Sequence, residues 1–333
     1  MIAREKILIV KLGSIGDVVN TLPLVNVLKD SGRVKELAWL IEPKSYPLLE
    51  GHSSVDRFLL FRRTAGLAGV KRALGEIRYF RPDMVIDLQR ILRSSFFTFF
   101  SGCPRRLGFD RRRSKEFSWL FTNMKIPPAD PVRHMVLQYL EFATYLGIEW
   151  SELKFVIPVK RLHREEAKKL LPAKALTDGF FALNIGASKP ANRWPREHWK
   201  ALVRLLLGRT ARSVILTGGR DDLVRAEFIS GEFAAEARFK NLVGRTTLKQ
   251  LGGLFSLSET VVSADSGPMH IASALGTRTI GLFGPADPRR TGPFNHPHLN
   301  LCAREDCSPC RENESCMREI SPEAVYDRIL SLA

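Results

Sequence analysis

Short apolar runs rich in β-branched residues alternate with stretches of helical spacing along the whole 333-residue chain. In the first half the runs fall at 7–10, 36–41 and 84–88, with a shorter one near 57–61, and helical spacing recurs at 21–29 and 69–79. Runs of four to eight apolar residues without polar alternation suit strands covered on both faces, and their alternation with helices predicts a parallel sheet wrapped by helices. A polar, proline-bearing passage at 125–133 precedes another helical stretch at 134–146. The pattern then restarts. A run at 152–159 and a helix at 164–171 lead into strands at 180–185, 213–216, 260–263 and 279–283, each followed by glycine or a small polar residue and then by helical spacing. The expected fold class is therefore α/β: two doubly wound parallel-sheet domains, 1–155 and 156–333, each near the ordinary single-core size of about 150 residues.

In such sheets ligands bind beyond the carboxyl ends of the strands, and polar residues concentrate at those points. In VVSADSGPMHIASALG, Asp265, Ser266 and Gly267 end a strand and open a helix with Pro268 in its first turn and His270 one turn in. The N–H groups of such a turn suit a phosphate. Capping by Asp265 or Ser266 and an interior His270 form the plainer alternative. In FALNIGASKPANRWPREHW, Gly186, Ala187 and Ser188 permit close backbone approach while Lys189 and Arg193 bring positive charge, a combination suited to a diphosphate. Trp194 and Trp199 read as packing residues. In LGSIGDVV, Gly13 and Gly16 flank the end of the first strand, and Asp17 enters the next helix. A helix dipole favours an acid there, but beside a phosphate-binding half the same carboxylate is a candidate general base. Asp87 and Gln89 in VIDLQ belong to the same edge, as holders of polyol hydroxyls or as loop caps.

Composition changes the picture in one respect. Apolar content of 44% is ordinary for a globular protein, and the most apolar helix candidate, 91–100, is interrupted by Arg93, Ser94 and Ser95, so no membrane span is expected and a cytoplasmic protein is. The formal charge of +16, with basic clusters concentrated in the first half, points to an anionic partner. Nucleic acid, an anionic membrane surface and a phosphorylated substrate compete for that role, and the first lacks any recognisable reading motif.

Taken together, KILIVKLGSIGDVVNTLPLV, WLIEP, VIDLQRILRS, RRLGFD, NRWPREHW and SADSGPMHIASALGTRTIGLFGPADP resemble the bacterial heptosyltransferases of glycosyltransferase family 9 over nearly the whole chain. The resemblance implies the GT-B architecture, two Rossmann-like domains facing a central cleft, with the acceptor on the N-terminal domain, an ADP-activated heptose on the C-terminal one and a last helix that packs back on the first domain. It implies Asp17 as catalytic base. The donor set becomes Gly186, Ser188, Lys189, Arg193, Asp265, Ser266, Gly267 and His270, with Asp221 or Asp222 at the nucleoside and Asp222 carried forward. Two departures stand out: Asn192 occupies a position that is often basic in the family, and Arg90 one that is usually glycine.

On this reading the reaction is inverting, metal-independent transfer to a lipopolysaccharide inner-core acceptor. Gly16, Arg62, Arg63, Asp87, Gln89, Arg105 and Arg106 form the acceptor side, and the arginines would meet a phosphorylated, lipid-linked acceptor at the inner face of the inner membrane. No D-x-D pair is present to hold a metal. Cys302, Cys307, Cys310 and Cys316 crowd into fifteen residues, but C-x4-C-x2-C-x5-C lacks the paired spacing of common zinc sites, so a structural zinc is the one metal role left to them. Two rivals keep the parallel sheets or the charge: an NAD-dependent oxidoreductase, for which G-x-G-x-x-G is missing, and a nucleic-acid-binding protein.

Overall fold

The computed structural model describes residues 4–303 and 316–332, which fall into two compact units, 1–158 and 159–333. The first contains strands β1 (Glu5–Val10), β2 (Val34–Ile41), β3 (Arg57–Leu60), β4 (Met84–Asp87), β5 (Arg106–Gly108) and β6 (Met124–Lys125). The second contains β7 (Phe180–Asn184), β8 (Ser213–Thr217), β9 (Phe239–Asn241), β10 (Thr260–Ala264), β11 (Arg278–Phe283) and β12 (Leu301–Cys302).

All pairings in both sheets are parallel. The first sheet runs β3-β2-β1-β4-β5-β6 and the second β12-β11-β10-β7-β8-β9. Numbered within its own unit, the second order is the first read backwards, so the chain builds the Rossmann order 3-2-1-4-5-6 twice. Each sheet has one place where the order reverses: between β1 and β4 in the first unit, and between β7 and β10 in the second. The loops that leave those four strands are where this topology puts ligands.

The central strands have no exposed side to pattern. Ile7 to Val10, Met84 to Asp87 and the whole of β7, β8 and β10 are buried, because helices cover both faces of a parallel sheet. In the first unit Leu8, Val10, Leu40, Ile77, Val85 and Phe97 join one core. In the second, Trp194 and Trp199 are fully buried in an edge-to-face pair with centroids 4.7 Å apart, which makes them packing residues.

One expectation is corrected. Residues 152–159 form no strand; the Lys154 carbonyl accepts from the Asn26 side chain at 2.6 Å instead of from a sheet. The last helix, Pro322–Leu330, buries Val325, Tyr326 and Ile329 in the second unit's core beside helix Arg196–Arg209. The Trp194 indole N–H fastens the preceding turn through the Ile320 carbonyl at 2.9 Å. The short strands β5, β6, β9 and β12 lay outside the pattern, since two or three residues carry no periodicity.

Candidate active site

Asp17 stands in the first turn of helix Ile15–Asp30, in the loop that follows β1 at the first sheet's reversal point. Its Oδ2 accepts from the Ser14 N–H at 3.3 Å and the Ser14 hydroxyl at 3.4 Å. Its Oδ1 meets the Lys11 ammonium at 3.3 Å and the Tyr139 hydroxyl at 3.3 Å. The Lys11 side chain is only 3% exposed, whereas that of Asp17 keeps 36%. Lys11 also lies 5.3 Å from the centroid of the Tyr139 ring. A buried ammonium is tolerated only when paired, so the pair fixes the charge state of both partners.

Burial pushes the Asp17 carboxyl up, but the Lys11 charge and hydrogen bond, the Ser14 N–H and the charge of Arg90 outweigh it and hold the group below its ordinary value. For Lys11, burial pushes down and is outweighed by Asp17 and Tyr139, so the ammonium is held above its ordinary value. Burial, partly opposed by Lys11, raises the Tyr139 phenol, which stays a donor. Asp17 is thus an ionised, partly exposed carboxylate whose four polar contacts are all 3.3–3.4 Å, at the long end of hydrogen bonding, where one can be exchanged for a substrate hydroxyl.

The loop after β4 supports this corner from within. Gln89 Oε1 accepts from the Leu12 N–H at 3.0 Å, tying the two switch-point loops together. Asp87 is 3% exposed; its Oδ1 accepts from the Gln89 N–H at 3.0 Å and its Oδ2 from Thr98 at 3.0 Å and Ser95 at 3.4 Å. Burial raises its carboxyl pKa, with those hydrogen bonds only partly opposing. Of the two readings of Asp87, loop capping is the one its contacts support, because both of its oxygens are taken up inside the protein, while Gln89 stays half-buried. Gly16 is buried in the helix turn beside Asp17. Arg90 adopts φ +66°, a left-handed conformation that glycine takes without strain, and its guanidinium lies 4.9 Å from the Phe109 ring centroid.

The basic residues expected around the acceptor separate. Arg62 and Arg63 follow β3, at the carboxyl edge of the sheet, and are exposed. Arg105 and Arg106 stand at the start of β5, the opposite end of the strands from Asp17, and β1 alone spans about 20 Å. Arg105 pairs with Glu5 at 2.5 Å; Arg106 donates to the carbonyls of Phe121 and Cys103 at 3.1 and 2.8 Å. Neither lines the Asp17 corner: parallel strands carry residues before and after them to opposite edges of a sheet.

In the second unit the β7 and β10 loops are joined by a residue the motif reading passed over. Asn184, 1% exposed, donates through Nδ2 to the Gly186 carbonyl at 3.1 Å, Ser263 at 3.0 Å and Ser266 at 3.3 Å. Ser266 and Ser263 hydroxyls are 2.9 Å apart. The Ser266 side chain is therefore turned inward and does not cap helix Gly267–Ala274, although capping was one reading of it. Asn192 Nδ2 donates to Asp265 Oδ2 at 3.1 Å, so the residue that departs from the family's basic pattern braces the two loops against each other. His270 is buried in that helix.

Gly186 packs on Asp222: a Cβ built at Gly186 would lie 2.5 Å from Asp222 Oδ2. That oxygen accepts from the Gly219 N–H at 3.0 Å, while buried Asp222 Oδ1 has no hydrogen-bond partner among the described residues. Asp221 is exposed, so of the two aspartates Asp222 is the one with an unmet acceptor at the sheet's carboxyl edge. Arg193 donates to the Ala187 carbonyl at 3.3 Å, and Ser188 and Lys189 are exposed. Arg225, also missed, donates to the Trp194 carbonyl at 2.9 Å; burial and the Arg193 charge lower its pKa. Of the four clustered cysteines, Cys302 is exposed and Cys316 buried, and Cys307 and Cys310 lie outside the described residues.

The family model described as glycosyltransferase family 9 (heptosyltransferase) matches residues 68–321. The lipopolysaccharide core heptosyltransferase OpsX of Haemophilus influenzae is 26% identical over 300 residues, 88% of this chain and 83% of that one. Among solved structures, a glycosyl transferase family 9 protein of Veillonella parvula aligns with a TM-score of 0.82 at 21% identity, over 99% of this chain and 97% of that one. The Escherichia coli heptosyltransferase WaaC with ADP aligns at 0.76 and 23%, over 98% and 97%. With two Rossmann-order sheets of the GT-B class, polar loops at both reversal points and a family match over most of its length, the chain belongs to glycosyltransferase family 9, the heptosyltransferases.

Proposed function

We propose that the protein transfers a heptose, with inversion, from an ADP-activated donor to a lipopolysaccharide inner-core or related glycan acceptor, using Asp17 as general base. The observation that carries this reading is the state of Asp17: ionised, partly exposed and held at the carboxyl edge of the first sheet by a buried lysine and a tyrosine. The proton of an acceptor hydroxyl moves to an Asp17 oxygen as the new C–O bond forms to the donor's anomeric carbon. The bond from that carbon to the diphosphate breaks, and ADP leaves with the electron pair. The hydroxyl becomes acidic only as it bonds, so a carboxylate that is reliably ionised serves better than its low basicity suggests.

The donor side is supported by the second unit's loops and by the similarity to Escherichia coli WaaC, a heptosyltransferase whose solved structure is one with ADP. Lys189 and Arg193 carry the charge that a leaving diphosphate needs, near the first turn of helix Gly267–Ala274. Asp222, whose buried Oδ1 has no hydrogen-bond partner among the described residues, is the acid assigned to the nucleoside. Cationic side chains and a helix terminus supply the leaving-group stabilisation, and the mechanism uses no metal. Arg62 and Arg63 remain on the acceptor side.

Asp17→Asn tests the assignment. Transfer from an ADP-heptose should fall by about 10³-fold, within the range of a lost general base, while ADP affinity measured by calorimetry stays within about twofold. Undiminished turnover would remove Asp17 from the chemistry.

A further inference from the structure

Helix Leu92–Phe100 is built inside out. Its buried positions are Ser94, Ser95, Phe97 and Thr98, and two of the three hydroxyls reach the Asp87 carboxylate. Its solvent face carries Leu92, Phe96, Phe99 and Phe100, which keep 50, 39, 47 and 42% of their exposure. These stand at i, i+4, i+7 and i+8, one continuous stripe of the helix. The three outward rings form a chain of contacts: Phe96 to Phe100 at 4.6 Å between centroids, Phe99 to Phe100 at 5.2 Å and Phe99 to Phe121 at 5.8 Å. The neighbouring turn Ser118–Phe121 extends the patch with Leu120 at 59% exposure, next to Phe117 at 72%. A helix whose polar residues satisfy a buried acid and whose apolar ones face water is not explained by the stability of its own unit.

Basic groups border this patch. Arg106 stacks 5.5 Å from the Phe99 centroid, Arg78 donates to the Phe100 carbonyl at 3.2 Å, and Arg111 lies 5.1 Å from the Trp119 centroid. Arg93, 3.9 Å from the Glu42 carboxylate, and Lys115 are exposed nearby in sequence, and Glu116 accepts from the Leu92 N–H at 3.1 Å. A nine-residue helix is about 14 Å long, half of a bilayer's hydrocarbon thickness, so it can lie in the interface but not cross.

We propose that this aromatic face, with its arginine border, is a docking surface for an anionic phospholipid bilayer, the rings entering the acyl boundary and the cations meeting the headgroups. The complementarity of a cationic border to a negative surface selects a membrane over a second copy of this equally cationic chain, whose formal charge is +16. It deepens the transferase reading by placing the enzyme where a lipid-linked acceptor lies, but the surface stands on its own observations.

The test uses the full-length protein and sedimentation with vesicles of phosphatidylcholine alone or with about one third phosphatidylglycerol. The wild type should sediment with the anionic vesicles and be released by high salt. The triple variant Phe96→Ser, Phe99→Ser, Phe100→Ser should partition at least tenfold less, with transfer to a delipidated acceptor fragment unchanged, so that docking and catalysis fail separately. Phe100→Trp keeps the face apolar and decides the matter even if the triple variant does not fold: brominated acyl chains should quench it more than the wild type. Equal partitioning of wild type and triple variant, no added quenching, or a wild-type dimer that the triple variant dissociates would each overturn the proposal.

Discussion

Two side chains set the state of the Asp17 carboxylate, and each has a measurable signature. Lys11→Met removes the buried ammonium and leaves the acid with Ser14 and Tyr139. The loss should be about 2 kcal/mol in denaturant unfolding, below the 3–5 kcal/mol of fully buried pairs because Asp17 keeps a third of its exposure. The pH dependence follows from the signs. The folded Asp17 carboxyl is depressed below its unfolded value, so its contribution to stability is complete above about pH 4 and disappears as pH falls through the lower folded value. Lys11 is raised, so its contribution is complete below about pH 10 and disappears as pH rises through the higher folded value. In the Lys11→Met enzyme the acid limb of kcat/KM should move to higher pH than in the wild type; an unmoved limb would detach Lys11 from the titration of the base. Arg90→Gly removes a cation that favours the Asp17 carboxylate and relieves a left-handed φ worth about 1 kcal/mol. Its stability should change by less than that, since a ring contact with Phe109 is lost in exchange, while the same acid limb moves upward.

At the scale of elements, the chemistry depends on loops that hold one another. Asn184 and Asn192 fasten the loops after β7 and β10, and Gln89 fastens those after β1 and β4. Gly186 and Asp222 meet so closely that the absence of a Cβ is a packing requirement. Gly186→Ala should weaken ADP binding at least tenfold and lower stability by about 1–3 kcal/mol, the usual cost of overpacking. Gly219→Ala, whose Cβ would lie 3.7 Å from the same carboxylate oxygen, is the control and should do neither. Equal effects in calorimetry and thermal unfolding would show that the strain at Gly186 is relieved by movement of Asp222. The strands that place these loops were legible because their apolar runs are buried on both faces. The helix at 92–100 was legible as a helix but not in its orientation, since inward serines and outward phenylalanines reverse the ordinary rule.

For the molecule as a whole, each unit repeats one topology around its own core, and the proposed roles divide between them. Saturating ADP should slow amide hydrogen exchange in the loops after β7, β8 and β10, at 185–193, 218–222 and 265–270, and at the Phe181–Asn184 strand end that feeds them. Protection confined instead to the β1 loop at 11–17 would reverse the assignment of donor and acceptor. Among the described residues no helix is long and apolar enough to cross a membrane. Arg105 illustrates why charge alone does not locate a site: its guanidinium is paired with Glu5 at the far end of the strands.

The amino-acid sequence by itself determined the α/β class, the two tandem units, the loops that end central strands and, through its motifs, the family. These follow from local regularities: buried parallel strands are uniformly apolar, and the residues that leave them are small or polar. Tertiary structure alone decided which polar residues are absorbed by the protein and which distant side chains meet Asp17 and Ser266. Asp87 looked like a site residue and is a buried brace, while Lys11, Tyr139 and Asn184, which the motifs passed over, contact Asp17 and Ser266. The physical reason is separation along the chain: Tyr139 reaches Asp17 across 122 positions and Asn184 reaches Ser266 across 82, and no local pattern encodes contacts that arise only when distant loops share the edge of one sheet.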